Sequence, residues 1–311
     1  MVLSTESRVL SAIKSERGEL IGDYPSEYCF DFIARIKKDN EILLIKITEK
    51  TSNKVIEDLK KISKALDALP IIIGENLEED IIYSKRGTPA LNPKTLEKVF
   101  KGKDVPLIYA SKGGIYVKIN SKRMRERREE LGFSIGDLAY KLGISRKTVI
   151  GYEKGEMDAS LSVSLKMERL LGDEIFERLS LKGLKSLAFK FLSRHCSEAE
   201  TTLSMEVAKL RKIMDRLGFK NYILSKSPFQ LASRRTIKEA KVITRAAPKS
   251  RCEATYEEEL MTLKVAKLTK SKALLLDPHI DPIEEENVIP VLPRELRDEE
   301  SLMRKIAEKL E

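Results

Sequence analysis

A chain of 311 residues has room for about two ordinary domains. Its 41% hydrophobic and 34% charged residues, with 11 Pro and 15 Gly, exclude collagen-like and wholly disordered classes, and no run reaches the ~18 apolar residues of a membrane helix. Lys and Arg total 58 against 49 acidic residues, a formal charge of +9 and a pI near 9.2, which favours a polyanionic partner.

The first segment reads as mixed α/β. Val2 to Arg17 fits a short helix, broken by the Gly- and Pro-containing stretch Gly18 to Pro25. Tyr28 to Ile36 and Glu41 to Thr48 read as strands joined by a turn at Lys37 to Asn40. From Ser52 to Leu69, apolar residues at Val55, Ile56, Leu59, Ile62, Leu66 and Leu69 mark one face of a helix, which Pro70 ends. Strand-length runs follow at Ile71 to Ile73 and Ile81 to Tyr83. A helix from Lys94 to Phe100 comes next, introduced by Pro89 and Pro93, and then strands at Leu107 to Ala110 and Ile115 to Ile119 about a Lys112-Gly113-Gly114 turn.

The character changes at Ser121. Met124, Leu131 and Phe133 mark the apolar side of one helix, whose other side carries Arg123, Arg125, Arg127 and Arg128. Ser134 is placed to cap a second helix, with Asp137 at its third position and Leu138, Ala139 and Leu142 inward. Gly143 supplies a sharp turn, and Ser145 caps a third helix that Ile144, Val149 and Tyr152 hold against the second. A further helix, with Leu161, Val163, Leu165, Met167, Leu170 and Leu171, is expected to cover the remaining apolar side.

The stretch LGFSIGDLAYKLGISRKTVIGYEKG, Leu131 to Gly155, resembles the helix-turn-helix domain of the lambda-repressor and Cro type. The resemblance implies that Ser145, Arg146, Lys147, Thr148, Ile150 and Gly151 face double-stranded DNA, with Arg123, Arg125, Arg127 and Arg128 adding phosphate contacts, and that the protein works as a homodimer. Two positions depart from the pattern: Ile135 stands where relatives often carry a phosphate-binding glutamine, and Gly151 has no side chain with which to read a base. Nearly the whole chain is similar to an archaeal family of HTH-type transcriptional regulatory proteins, through FDFIAR at Phe30, KGKDVPLIYASKGGIYVKI at Lys101 and GYEKGEMDASLSVSLKMERLLG at Gly151. That resemblance implies a regulator that acts on, or together with, the transcription machinery.

Beyond a bridging region from Gly172 to Leu192, a helix is expected over Glu200 to Leu217, closed by Gly218. The remainder then repeats the beginning. FQLASR at Phe229 falls 199 residues after FDFIAR at Phe30, and Ala240 to Ala246 falls where Glu41 to Ile47 did. Glu258-Glu259-Leu260, Ala273 to Leu276 and Pro290 to Leu296 continue the parallel with Glu57-Asp58-Leu59, Pro70 to Ile73 and Ala90 to Leu96. The expected architecture is α/β: two mixed-sheet domains flanking a small all-helical one. The segments are 1–119, the helix-turn-helix at 120–172, a linker or bridging helix at 173–199, and a possible second copy at 200–311.

The flanking pattern also resembles restriction-endonuclease-like folds, whose active members use an Asp and a Glu-x-Lys triplet to hold a divalent metal. Asp31 and Lys46 match two of these positions. Leu44 stands at the Glu position, and the second copy has Gln230, Ile243 and Arg245 there, so no nuclease activity is expected unless Glu41, Glu49 or Glu57 supplies a displaced carboxylate. Cys29, Cys196 and Cys252 are too widely spaced for a zinc site or a disulfide framework, and neither His195 nor His279 has a second cluster, so no metal or cofactor is expected. Without a visible signal peptide or membrane span, a cytoplasmic setting is expected. The rival readings are a nuclease or resolvase relative and a non-enzymatic scaffold for protein partners.

Overall fold

The computed structural model describes residues 4–15, 18–22, 24–50, 52–102, 105–192, 203–237, 239–246, 253–278 and 286–310. Cys196, Cys252, His195 and His279 lie outside them. In chain order the elements begin with helix α1 (Thr5–Ser15) and strands β1 (Glu19–Ile21), β2 (Phe32–Ile36) and β3 (Glu41–Ile47), then helix α2 (Asn53–Leu66) and strand β4 (Ala68–Ile73). Strands β5 (Ile81–Lys85) and β6 (Thr88–Leu91), helix α3 (Pro93–Lys101), and strands β7 (Ile108–Ser111) and β8 (Gly114–Val117) follow. The helical segment comprises α4 (Ser121–Glu130), α5 (Ile135–Leu142) and α6 (Arg146–Glu153), a short strand β9 (Ala159–Ser160), α7 (Leu161–Leu171) and α8 (Leu181–Leu192). Last come α9 (Met205–Arg216), β10 (Lys220–Ile223), β11 (Leu231–Arg235), β12 (Ala240–Ala246), α10 (Glu253–Thr269), β13 (Lys272–Leu276), β14 (Val288–Val291) and α11 (Glu299–Leu310). Two mixed α/β regions thus flank a helix-rich segment along the chain. No helix among the described residues is long and apolar enough to cross a membrane.

Spatially the chain divides into two compact units: residues 1–12 with 72–195, and residues 13–71 with 196–311. The second unit holds two copies of one design. In one, strands follow the order β1-β2-β3-β4, with β1/β2 and β2/β3 antiparallel; in the other, β10-β11-β12-β13-β14 repeats those two antiparallel pairs and adds parallel β12/β13 and β13/β14. Local chemistry explains the helices between them. Ser52 caps α2 by accepting from the Val55 N–H, and Asp67 in the left-handed region (φ 55°) closes it, so Pro70 falls inside β4 rather than ending the helix.

The two copies exchange helix contacts: α2 packs on β10 and β11, while α10 packs on its own β12 and β13 and also on β1 and β2. Polar bonds follow the same exchange. Asp58 on α2, only 1% exposed, accepts from the Ser225 and Lys226 backbone N–H groups at 2.7 and 2.8 Å, and Glu258 on α10 accepts from the Tyr28 hydroxyl at 2.6 Å. Burial, reinforced by that bond, pushes the Tyr28 hydroxyl up from its ordinary pKa. Phe30 and Phe229, at corresponding positions, are both fully buried.

In the first unit the order from the end of β4 is β6-β5-β7-β8-β9, and α8 packs on β6. Two elements differ from the sequence expectation, and the bridging region holds a helix. β1 lies within Gly18 to Pro25, read above as a break. β6 contains Pro89, which suggested a helix entrance; the strand tolerates it because the short ladder to β4 runs through Ala90 and Leu91. The bridging region contains α8, whose Leu184, Leu187, Ala188 and Phe191 are buried.

Candidate nucleic-acid interface

The helix-turn-helix is assembled by local rules. Ser134 accepts from the Asp137 N–H at 3.1 Å and Asp137 accepts from the Ser134 N–H at 3.0 Å, a reciprocal capping box that fixes the start of α5 and holds the Asp137 carboxyl below its usual range. Gly143 closes α5 at φ 71°, where a β-carbon is penalised, and Ser145 accepts from the Thr148 N–H to start α6. Leu138, Ala139 and Leu142 of α5 meet Val149 and Tyr152 of α6 in one core with Met124, Met167 and Leu171. At 4% exposure, Ala139 lets the two helices approach closely.

This module is not tethered by a linker alone. β9 pairs with β8, and buried Asp158, just before β9, accepts from the Tyr109 hydroxyl at 2.7 Å and from Lys190 Nζ at 2.8 Å. Burial pushes the Asp158 carboxyl up, but the Lys190 and Tyr109 hydrogen bonds and the Lys118 charge outweigh it and hold the pKa below its ordinary value.

Packing sorts the ten expected contact residues into groups. Ser145, Arg146 and Lys147 are exposed at the start of α6 and Ile150 at its middle, and Arg146 lies over Gly136, where a β-carbon would meet its guanidinium at 3.0 Å. Thr148 is half-buried, its hydroxyl 2.9 Å from that of Ser145. Gly151 is buried beneath Met157 rather than presented outward. On α4, Arg125 is exposed and pairs with Glu129 at 3.1 Å. Arg123 and Arg127 are half-buried and share Glu130 and Glu174, and Arg127 also donates to the Leu171 carbonyl.

Arg128 does not belong with this surface. Only 8% exposed, it bonds Glu153 at 2.5 Å and the Phe133 carbonyl at 2.8 Å, tying α4 to the end of α6. Sequence reasoning missed this because its partner lies 25 residues away. Of the residues expected to cover the module, Met167 and Leu171 are buried and Val163 and Leu170 pack against the core, together with buried Ser164, while Leu161 and Leu165 are 40% and 50% exposed. Exposed Lys141 and Lys154 add positive charge that the motif had not marked.

The endonuclease-like triplet has a different chemistry from a metal site. Lys46 Nζ, almost wholly buried, donates to Asp31 Oδ1 at 2.7 Å and to the Ser26 carbonyl at 2.8 Å, while the Ile47 N–H donates to Asp31 Oδ2 at 2.6 Å. Both oxygens of Asp31 are therefore engaged. Leu44 is fully buried in the core, and Glu57 pairs with Lys60. No group of three or more His, Cys, Asp or Glu residues among the described residues could hold a metal ion, so the residues present do not fit the divalent cation of an active endonuclease fold.

Comparison with known proteins agrees with both parts. Residues 6–105 match the PD-(D/E)XK superfamily domain and residues 124–175 the helix-turn-helix model. An HTH-type transcriptional regulatory protein of Thermococcus gammatolerans is 31% identical over 92% of this chain and 87% of its own length. The chain belongs to this archaeal family. Members from Archaeoglobus fulgidus and Sulfolobus acidocaldarius are each 34% identical over 70% of the chain, and over 68% and 70% of their own lengths. No solved structure matches it.

Proposed function

We propose that this member of the HTH-type regulator family is a sequence-specific DNA-binding transcriptional regulator that reads the major groove with α6. The observation carrying the reading is the exposed set Ser145, Arg146, Lys147 and Ile150 on a capped helix held by the Gly143 turn. Arg and Lys there reach guanine acceptor edges or phosphates, and Ile150 supplies an apolar contact for a thymine methyl. Exposed Arg125, with Arg123 and Arg127, would favour phosphates along the groove edge. A homodimer doubles a contact area that is small in one module, and a cytoplasmic setting beside the transcription machinery accords with that role.

The segments 1–119, 120–172 and 200–311, with 173–199 between them, are proposed as the units of descent, the last a duplicate of the first. The endonuclease-like frame is proposed to be non-catalytic, since Asp31 is committed to Lys46 and the Ile47 N–H and position 44 is apolar. Incubation of duplex and branched DNA with Mg²⁺ or Mn²⁺ tests this: cleavage that disappears in Asp31→Ala would overturn it.

The decisive experiment for the regulatory reading is selection of bound fragments from the DNA of the source organism, repeated with Arg146→Ala/Lys147→Ala. The double variant should bind at least tenfold more weakly, since each base contact contributes about 1–3 kcal/mol, with an unchanged circular dichroism spectrum. An enriched two-fold motif lost in the variant supports the regulator; no enrichment transfers the weight to a protein scaffold.

A further inference from the structure

Arg146 differs from the other arginines expected to meet DNA. Arg123, Arg125, Arg127 and Arg128 on α4 are each paired with a carboxylate. Among the described residues no hydrogen bond or ion pair occupies Arg146, so its N–H donors are open to an anion. Its guanidinium rests instead on a glycine. A β-carbon at Gly136, the second residue of α5, would stand 3.0, 3.2 and 3.3 Å from Arg146 Nη2, Nε and Cζ, and these are the three nearest atoms it would meet.

The backbone does not call for glycine at this place. Gly136 is helical, outside the left-handed region, and glycine is less favourable in a helix than alanine. What a side chain there would displace is the guanidinium of Arg146. The Asp137 carboxylate, which accepts from the Ser134 N–H, attracts Arg146 toward the start of α5 without pairing with it. Ile135, the first residue of α5, packs against the module core and offers no polar group. In a helix-turn-helix the second helix enters the major groove while the first crosses the DNA backbone. A side chain that begins on α6 and lies across the start of α5 therefore stands over the backbone, whereas Lys147 and Ile150 are exposed on α6 itself.

We propose that Arg146 grips a phosphate of duplex DNA from its seat on Gly136, and that Lys147 and Ile150, rather than Arg146, set the sequence preference. The proposal deepens the DNA-binding reading above and rests on it. A planar guanidinium suits a bidentate bond to phosphate. Phosphate contacts supply affinity and salt dependence that are alike for every sequence, and base-edge contacts discriminate among sequences. Two adjacent basic residues at the start of α6 thus do different work, because one is drawn onto α5 and the other is not.

The test uses the full chain, duplexes that the wild-type protein selects from a randomised pool, and single-base variants of those duplexes. Arg146→Ala should weaken binding about tenfold on every duplex and leave their ranking unchanged. The slope of log affinity against log salt should fall by about 0.9 per protomer for one lost phosphate contact. Arg146→Lys keeps the charge and should retain the slope, whereas Lys147→Ala should reorder the ranking. Gly136→Leu keeps every charge but fills the seat. It should weaken binding as uniformly as Arg146→Ala does, with an unchanged circular dichroism spectrum, and should cost nothing further when combined with Arg146→Ala. A changed ranking or an unchanged slope in Arg146→Ala would overturn the proposal and leave the regulator intact. Wild-type affinity in Gly136→Leu, or losses that add in the double variant, would overturn the seat. Wild-type protein that selects no duplex would overturn the DNA-binding reading as well.

Discussion

The two similar sheets of the second unit solve one local problem with different chemistry. In the first, the Ile47 N–H donates to the Asp31 carboxylate; in the second, the Ala246 N–H donates to the side-chain oxygen of Gln230, 199 residues after Asp31. The reverse backbone bond is also shared, from the Asp31 N–H to Ile45 O and from the Gln230 N–H to Thr244 O. The neighbouring cation is Lys46 in one copy and Arg245 in the other, both nearly buried and each donating to a carbonyl of the loop before its own β2 or β11, Ser26 or Pro228. Positions 44 and 243 are fully buried Leu and Ile. An amide can stand where the carboxylate stood because the position now pins a loop to a strand end, a task that needs an acceptor and not a negative charge.

Substitutions followed by chemical denaturation test whether the two sites do the same work. Leu44→Glu restores the triplet in sequence but places an unpartnered carboxylate in the core. It should cost about 4 kcal/mol or more, combining a lost apolar side chain with a buried polar group, and should confer no divalent-cation-dependent cleavage. Cleavage by this variant would mean the catalytic frame survives. Lys46→Ala leaves Asp31 without its cation and should cost about 3 kcal/mol. Asp31→Asn keeps the acceptor for Ile47 as Gln230 does for Ala246, and should cost only about 1–2 kcal/mol. A loss from Asp31→Asn equal to that from Lys46→Ala would show that charge matters in the first copy, and the parallel with Gln230 would fail.

Legibility from sequence followed the range of the interactions. The capping box at Ser134 and Asp137, the Gly143 turn and the inward spacing of Leu138, Leu142 and Val149 are set within a few residues, and each was readable from type and position. The three-residue β1 was hidden by glycine and proline signals, and β6 by Pro89, because neighbouring strands rather than local propensity hold them. The role of Arg128 depended on Glu153 arriving from another helix, and its charge alone suggested a solvent-facing side chain. Gly151 was placed outward by analogy, yet Met157 folds over it from the following loop. The exchange of helix contacts between copies left no local mark, since an amphipathic helix reads alike whichever sheet receives it.

That exchange has a consequence for assembly. An interface of this reciprocal kind between two separate subunits would come apart on dilution, its stability set by protein concentration. Here both partners lie on one polypeptide, so each copy meets the other at the high effective concentration set by the intervening chain. The paired frame therefore forms by a unimolecular step whose equilibrium does not depend on protein concentration.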